Sequence, residues 1–162
     1  MRALAAFERA LISGNSRYDL FFYKKEKDKL TESEKRGMTL FFGQKTECST
    51  CHSGVLFTNF DYKNNGLYTK YEDIGRAGVT MRQEDKHLFK VPSLRNVELT
   101  APYMHDGSLL NLEDVVTHYN EGGEAHPNKS ELIRPLNLSD VEQRDLVAFL
   151  KTLTDIKFID SK

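Results

Sequence analysis

Apolar residues recur at helical spacing in four stretches of the chain. Over 2–12, Leu4, Phe7, Leu11 and Ile12 fall on one face and Ser13-Gly14-Asn15-Ser16 ends the run, which predicts an amphipathic helix. Thr31-Glu32-Ser33-Glu34 has the capping-box pattern, in which a hydroxyl and a carboxylate three residues apart satisfy the free amides of a helix start. It predicts a helix over 32–42. Ser139-Asp140-Val141-Glu142 repeats the pattern and predicts a helix over 140–152, turning Val141, Leu146, Phe149, Leu150 and Leu153 toward a core. A shorter helix is predicted over 112–119, with Asn111 as its cap and Leu112, Val115, Val116 and Tyr119 on a common face. Residues 53–103 show no sustained period, and Gly54, Gly66, Gly75, Gly78 and Asn64-Asn65 mark turns. Long irregular connections in compact domains are usually functional, so this one is expected to be ordered. Lys24-Lys25-Glu26-Lys27-Asp28-Lys29 reads as a solvated connection.

With 162 residues, 39% of them hydrophobic, the chain has the size of one domain over 1–162 with its own core. Lys plus Arg number 23 against 24 Asp plus Glu, a formal net charge of −1. No field of one sign therefore draws it to nucleic acid or an anionic membrane. The longest apolar runs fall far short of the roughly 20 residues that span a bilayer, and no apolar leader opens the chain.

The two cysteines carry the chemistry. Cys48-Ser49-Thr50-Cys51-His52 is the C-x-x-C-H pattern of c-type haem attachment. Two thiols three positions apart can each add to one vinyl group of a haem edge, and the following histidine can place an imidazole nitrogen on the iron. Haem attachment outweighs three alternatives. A thioredoxin-like dithiol would sit beside a buried strand, which Lys45-Thr46-Glu47 and Ser53-Gly54-Val55 do not provide. A zinc site needs further close ligands, and His105, His118 and His126 lack paired spacing. A disulfide across two intervening residues would stabilise little. The predicted fold is therefore an all-α, cytochrome c-like single domain, its long loops wrapped around one covalent haem c.

The segment Phe89-Lys90-Val91-Pro92-Ser93-Leu94-Arg95-Asn96-Val97-Glu98-Leu99-Thr100-Ala101-Pro102-Tyr103-Met104-His105-Asp106-Gly107-Ser108 resembles the signature of bacterial dihaem cytochrome c peroxidases and their MauG-type relatives, which mature methylamine dehydrogenase. Ala5-Ala6-Phe7-Glu8-Arg9-Ala10-Leu11, Asn15-Ser16-Arg17-Tyr18-Asp19 and the last capped helix resemble it too. The resemblance is to the C-terminal, electron-transferring haem domain. No second C-x-x-C-H is present, so the family's peroxide-binding site is not carried over. The resemblance implies one-electron transfer to a haem-containing N-terminal peroxidase domain or a small redox protein, an extracytoplasmic, periplasmic setting, and dimers. Met1 stands just before the family-like first helix, which favours a truncated form. The alternative is a stand-alone peroxidase with a labile sixth position on the iron and His105 or His118 as acid-base group. A haem-based sensor is a third class, without a supporting feature in the sequence.

The sixth iron ligand divides these functions. A thioether favours ferrous iron and raises the potential, whereas a tyrosinate favours ferric iron and lowers it. From the residues alone Met104 is the first candidate, with core packing as its alternative. The resemblance instead implies Tyr119, because the family's ligand position after the His-x-Gly motif falls there and MauG-type enzymes carry tyrosine at it. The neighbouring His118 and an open position remain. The resemblance also places Thr100 and Pro102 where backbone carbonyls help bind calcium between two haem domains, against an ordinary proline-containing turn. Arg95 is expected either at a haem propionate or in an ion pair within the protein.

Overall fold

The computed structural model describes residues 2–160, with side chains through 158; Met1, Ser161 and Lys162 of the predicted 1–162 domain lie outside. Its helices are α1 (Arg2–Ala10), α2 (Arg17–Phe22), α3 (Glu32–Phe42), the single turn α4 (Cys48–Cys51), α5 (Ala77–Thr80), α6 (Leu112–Glu121), α7 (Asp140–Lys151) and α8 (Ile156–Asp160). Among the described residues, no helix is long and apolar enough to cross a membrane.

The two capping boxes act as their sequences predict. Thr31 Oγ1 accepts from the Glu34 amide while Glu34 accepts from the Thr31 amide, and Ser139 and Glu142 do the same. A third box, Ser16 with Asp19, starts α2, a helix absent from the sequence prediction. Six residues leave it too little length for a visible apolar period.

The contact of α3 and α7 forms the centre of the molecule. Gly37 makes it close: a Cβ there would overlap the carbonyl oxygen of Asp145 and lie 2.8 Å from the Phe149 Cβ. The Asp145 carboxylate, itself buried, accepts from Arg36 Nε at 2.7 Å and Nη2 at 2.8 Å, and from the Ser33 hydroxyl. Around this contact Phe41, Phe149, Tyr18 and Phe57 stack edge to face or tilted, their ring centres 5.1–5.9 Å apart. Burying each phenylalanine contributes roughly 1.5–3 kcal/mol. Leu146, Leu150 and Leu153 complete the face predicted for α7, whereas Val141, in the first turn, is half exposed. Leu112 and Val116 carry α6 onto the same core.

The fold is mostly helical, as the sequence predicts, and the aperiodic segment adds a two-stranded antiparallel ribbon, β1 (Tyr62–Lys63) with β2 (Phe89–Lys90); Tyr62 faces Lys90 and Lys63 faces Phe89. Strands of two residues leave no alternation to read. Helix α1 ends at Ala10, two residues early, and buries none of its apolar face: Leu4 is 68%, Phe7 64% and Ile12 76% exposed.

Candidate haem site

Helix α3 ends at Gly43 and delivers the chain to α4, the turn that carries both cysteines. Thr46 fastens the connection, its hydroxyl donating to the Leu40 carbonyl. Cys48 and Cys51 are free thiols, and burial pushes both pKa values up, so they stay protonated near neutrality. His52 follows as the cap of the turn. Its Nδ1 lies 3.1 Å from the Phe57 carbonyl oxygen. A carbonyl can only accept, so Nδ1 holds the proton and Nε2 presents a lone pair. Burial lowers the pKa of the ring, against the opposing pull of the Phe57 and Pro92 carbonyls. The imidazole is thus neutral and oriented, the state a metal ligand needs.

All three residues line one cleft of about 400 Å³. Its apolar walls include Phe41, Leu94, Val97, Val116, Leu136, Leu146 and Leu150, so the cleft is cut into the core itself. The segment 53–103 supplies a wall through Lys63, Asn65 and Phe89–Pro92. Tyr119, Met104, Thr100, Pro102 and His105 also line it. The two candidate ligands of the sequence therefore meet in one place. One amide, Asn65 Nδ2, lies 3.1 Å from Met104 Sδ and 3.5 Å from Tyr119 Oη. Burial raises the Tyr119 pKa, with the Asn65 contact acting the other way. His118 is engaged elsewhere, its Nε2 3.1 Å from the Asn65 backbone carbonyl.

Arg95 does not line the cleft. Its guanidinium is buried, with Nη1 2.6 Å from Asp19 Oδ2 and Nε 2.7 Å from the Val55 carbonyl, so the arginine makes the internal ion pair, one of its two expected roles. Asp19 is 76 residues away in sequence, and this pairing was the alternative that sequence could not decide. One amino group, Nη2, is buried without a hydrogen-bond partner. The cations that do line the cleft are Lys63, Lys90 and Arg134, none singled out by sequence. Thr100 and Pro102 lie at the cleft as part of the turn that follows Val97. Among the described residues, no group of three or more His, Cys, Asp or Glu side chains could hold a metal ion. A carbonyl-based calcium site would need ligands from outside this set.

The cleft fits a haem by its donor set: two free thiols and an oriented imidazole on one short segment, a thioether and a phenol on others, apolar walls and three cations.

No protein-family model matches the chain. Among curated proteins it is 42% identical over 156 residues to the methylamine utilization protein MauG of Methylorubrum extorquens, covering 93% of this chain and 42% of that protein. It is 35% identical over 164 residues to the cytochrome c peroxidase Ccp of Escherichia coli, covering 95% of this chain and 32% of that one. Among solved structures, a MauG-like protein associated with microbial copper homeostasis superposes with a TM-score of 0.89 at 40% identity, over 97% of this chain and 53% of the other. The diheme peroxidase BthA of Burkholderia thailandensis gives 0.72 at 26% identity, over 89% and 47%. The chain thus spans about half or less of the length of these relatives. The cleft and its haem-attachment pattern agree with this similarity, which over nearly all of the chain's residues is to bacterial cytochrome c peroxidases and MauG proteins.

Proposed function

We propose that this domain carries one covalently attached haem c and transfers single electrons, as the C-terminal half of a dihaem peroxidase or MauG-type enzyme. The observation that carries this reading is the convergence of Cys48, Cys51, His52, Tyr119 and Met104 on one core cleft. Haem, when bound, supplies one-electron iron redox chemistry. The protein's part is to hold and tune it. Cys48 and Cys51 would form the thioethers, and His52 Nε2 and Tyr119 would hold the iron, with Met104 as the competitor of Tyr119. The Phe57 carbonyl fixes the His52 ring through Nδ1, which strengthens Nε2 as a donor. Lys63, Lys90 and Arg134 offset the negative charge of propionates, and the apolar walls keep water from the ligands.

The electron partner is then a peroxidatic haem domain or a small redox protein, in an extracytoplasmic compartment where c-type haems are attached. Homodimerisation, and calcium on the Thr100 and Pro102 carbonyls at an interdomain surface, belong to the same proposal. His105 lines the cleft, stacked on Phe89 with ring centres 3.9 Å apart. It offers an acid-base group to the competing reading, a peroxidase acting alone.

The test is expression with a haem-attachment system, followed by optical spectra of the ferric protein into the near infrared. A covalent low-spin haem whose spectrum changes in Tyr119→Phe supports the proposal. A high-spin haem that binds cyanide rapidly transfers support to the lone peroxidase, and absence of a Soret band overturns both.

A further inference from the structure

We propose that Asn65 is the positioning residue that selects Tyr119 over Met104 as the side chain offered to the haem iron; this rests on the haem reading above. Asn65 belongs to neither of the elements that carry the two candidates. Tyr119 is on α6, and Met104 is in the loop closed by the Tyr103 amide donating to the Leu109 carbonyl at 2.7 Å. Met104 has a left-handed backbone, φ 73°, uncommon for a residue with a side chain.

The backbone of Asn65 is held on several sides. Its carbonyl accepts from His118 Nε2 at 3.1 Å. The Gly66 amide donates to the buried Asn64 Oδ1 at 2.7 Å, and the Glu124 amide donates to the Gly66 carbonyl at 2.6 Å. Gly123, at φ +62°, packs so close that a Cβ would lie 2.7 Å from the Asn65 carbonyl oxygen. The side-chain amide therefore has a fixed origin.

Its orientation follows from its partners. A thioether sulfur only accepts, so the group 3.1 Å from Met104 Sδ is the NH2 end of the amide and not its oxygen. The same NH2 end faces the Tyr119 oxygen at 3.5 Å, which makes that oxygen an acceptor. Hydrogen bonds to a charged acceptor are markedly stronger than those to a neutral one. The amide consequently favours Tyr119 as a phenolate ligand, and its second hydrogen engages one Met104 sulfur lone pair and weakens that sulfur as a donor to iron. Both effects act in one direction. Removing the donor should shift the preference toward Met104 by roughly 10- to 100-fold, the difference a hydrogen bond to an anion makes.

The experiment compares haem-loaded wild type with Asn65→Leu, which keeps the branched outline and loses the donor, and Asn65→Asp, which replaces the donor with a second anion. The readouts are the near-infrared charge-transfer band of methionine on ferric haem and the reduction potential. Wild type should lack the band. Both variants should gain it with a higher potential, and Met104→Leu in the Asn65→Leu background should abolish it. If the Asn65 variants keep the wild-type spectrum while Tyr119→Phe changes it, Asn65 is not the selector and the haem reading stands. If the band is already present in wild type, Met104 is the native ligand and the proposal is overturned. If Tyr119→Phe changes nothing, the underlying ligand assignment falls with it. A variant that takes up no haem is replaced by Asn65→Ala, a small change that removes the donor, under the same criteria.

Discussion

Gly37→Ala tests the close approach of α3 and α7. In an open helix this substitution stabilises by about 1 kcal/mol, because alanine loses less backbone freedom. At Gly37 the new methyl would overlap the Asp145 carbonyl oxygen and sit 2.6 Å from the carbonyl carbon and 2.8 Å from the Phe149 Cβ. These atoms are backbone or rigidly attached to it, so relief requires the helices to separate. Overpacking of this kind costs about 1–3 kcal/mol, and the rigidity of the neighbours argues for the upper end. Less the propensity gain, the net loss is about 2 kcal/mol, which for a domain of this size lowers Tm by roughly 4–8 °C. Gly78→Ala in α5 is the control: its Cβ would meet only the flexible Ile74 side chain at 3.5 Å, so Tm should hold or rise. Thermal unfolding followed by far-ultraviolet circular dichroism measures both. A Gly37→Ala protein as stable as the control would refute the close approach, and with it the account of why glycine stands in mid-helix.

Two further outcomes follow from the same structure. The Arg36 hydrogen bonds hold the Asp145 carboxyl below its ordinary 3.8, and a depressed carboxylate pKa gives stability that is present above 3.8 and is lost as pH falls through the folded value. Arg36→Met should therefore flatten the decline in stability between pH 5 and acid, read by urea unfolding at a series of pH values; an unchanged slope would show that the pair contributes nothing. Cys51→Ala should leave one thioether, so haem remains bound through acid-acetone extraction and its pyridine complex absorbs between the positions for two thioethers and none. Complete extraction would show that Cys48 forms no bond to haem.

Local signals were legible where one residue pair decides a local outcome. Thr31 with Glu34 and Ser139 with Glu142 announce α3 and α7 because a cap is a contact between neighbours. Cys48, Cys51 and His52 are legible for the same reason, since one helical turn carries the group. The α1 pattern was readable as well, but not that its apolar face would lie exposed among the described residues. Arg95 was undecidable because Asp19, its partner, comes from α2, a helix too short to announce itself. Asn65 was invisible as more than a turn residue: its contacts lie 39 and 54 positions away, and only the folded loop aims its amide.

The cleft shares its walls with the core, for Phe41, Val97, Leu112, Val116, Leu136, Leu146 and Leu150 belong to both. A group that fills it is therefore a structural member of the fold, and its occupancy adds to folding stability by mass action in the ordinary case. Thioether attachment removes the concentration from that relation. A tethered occupant remains at a high effective concentration however dilute the protein becomes, so the domain's stability would not fall on dilution into a compartment that holds no free haem.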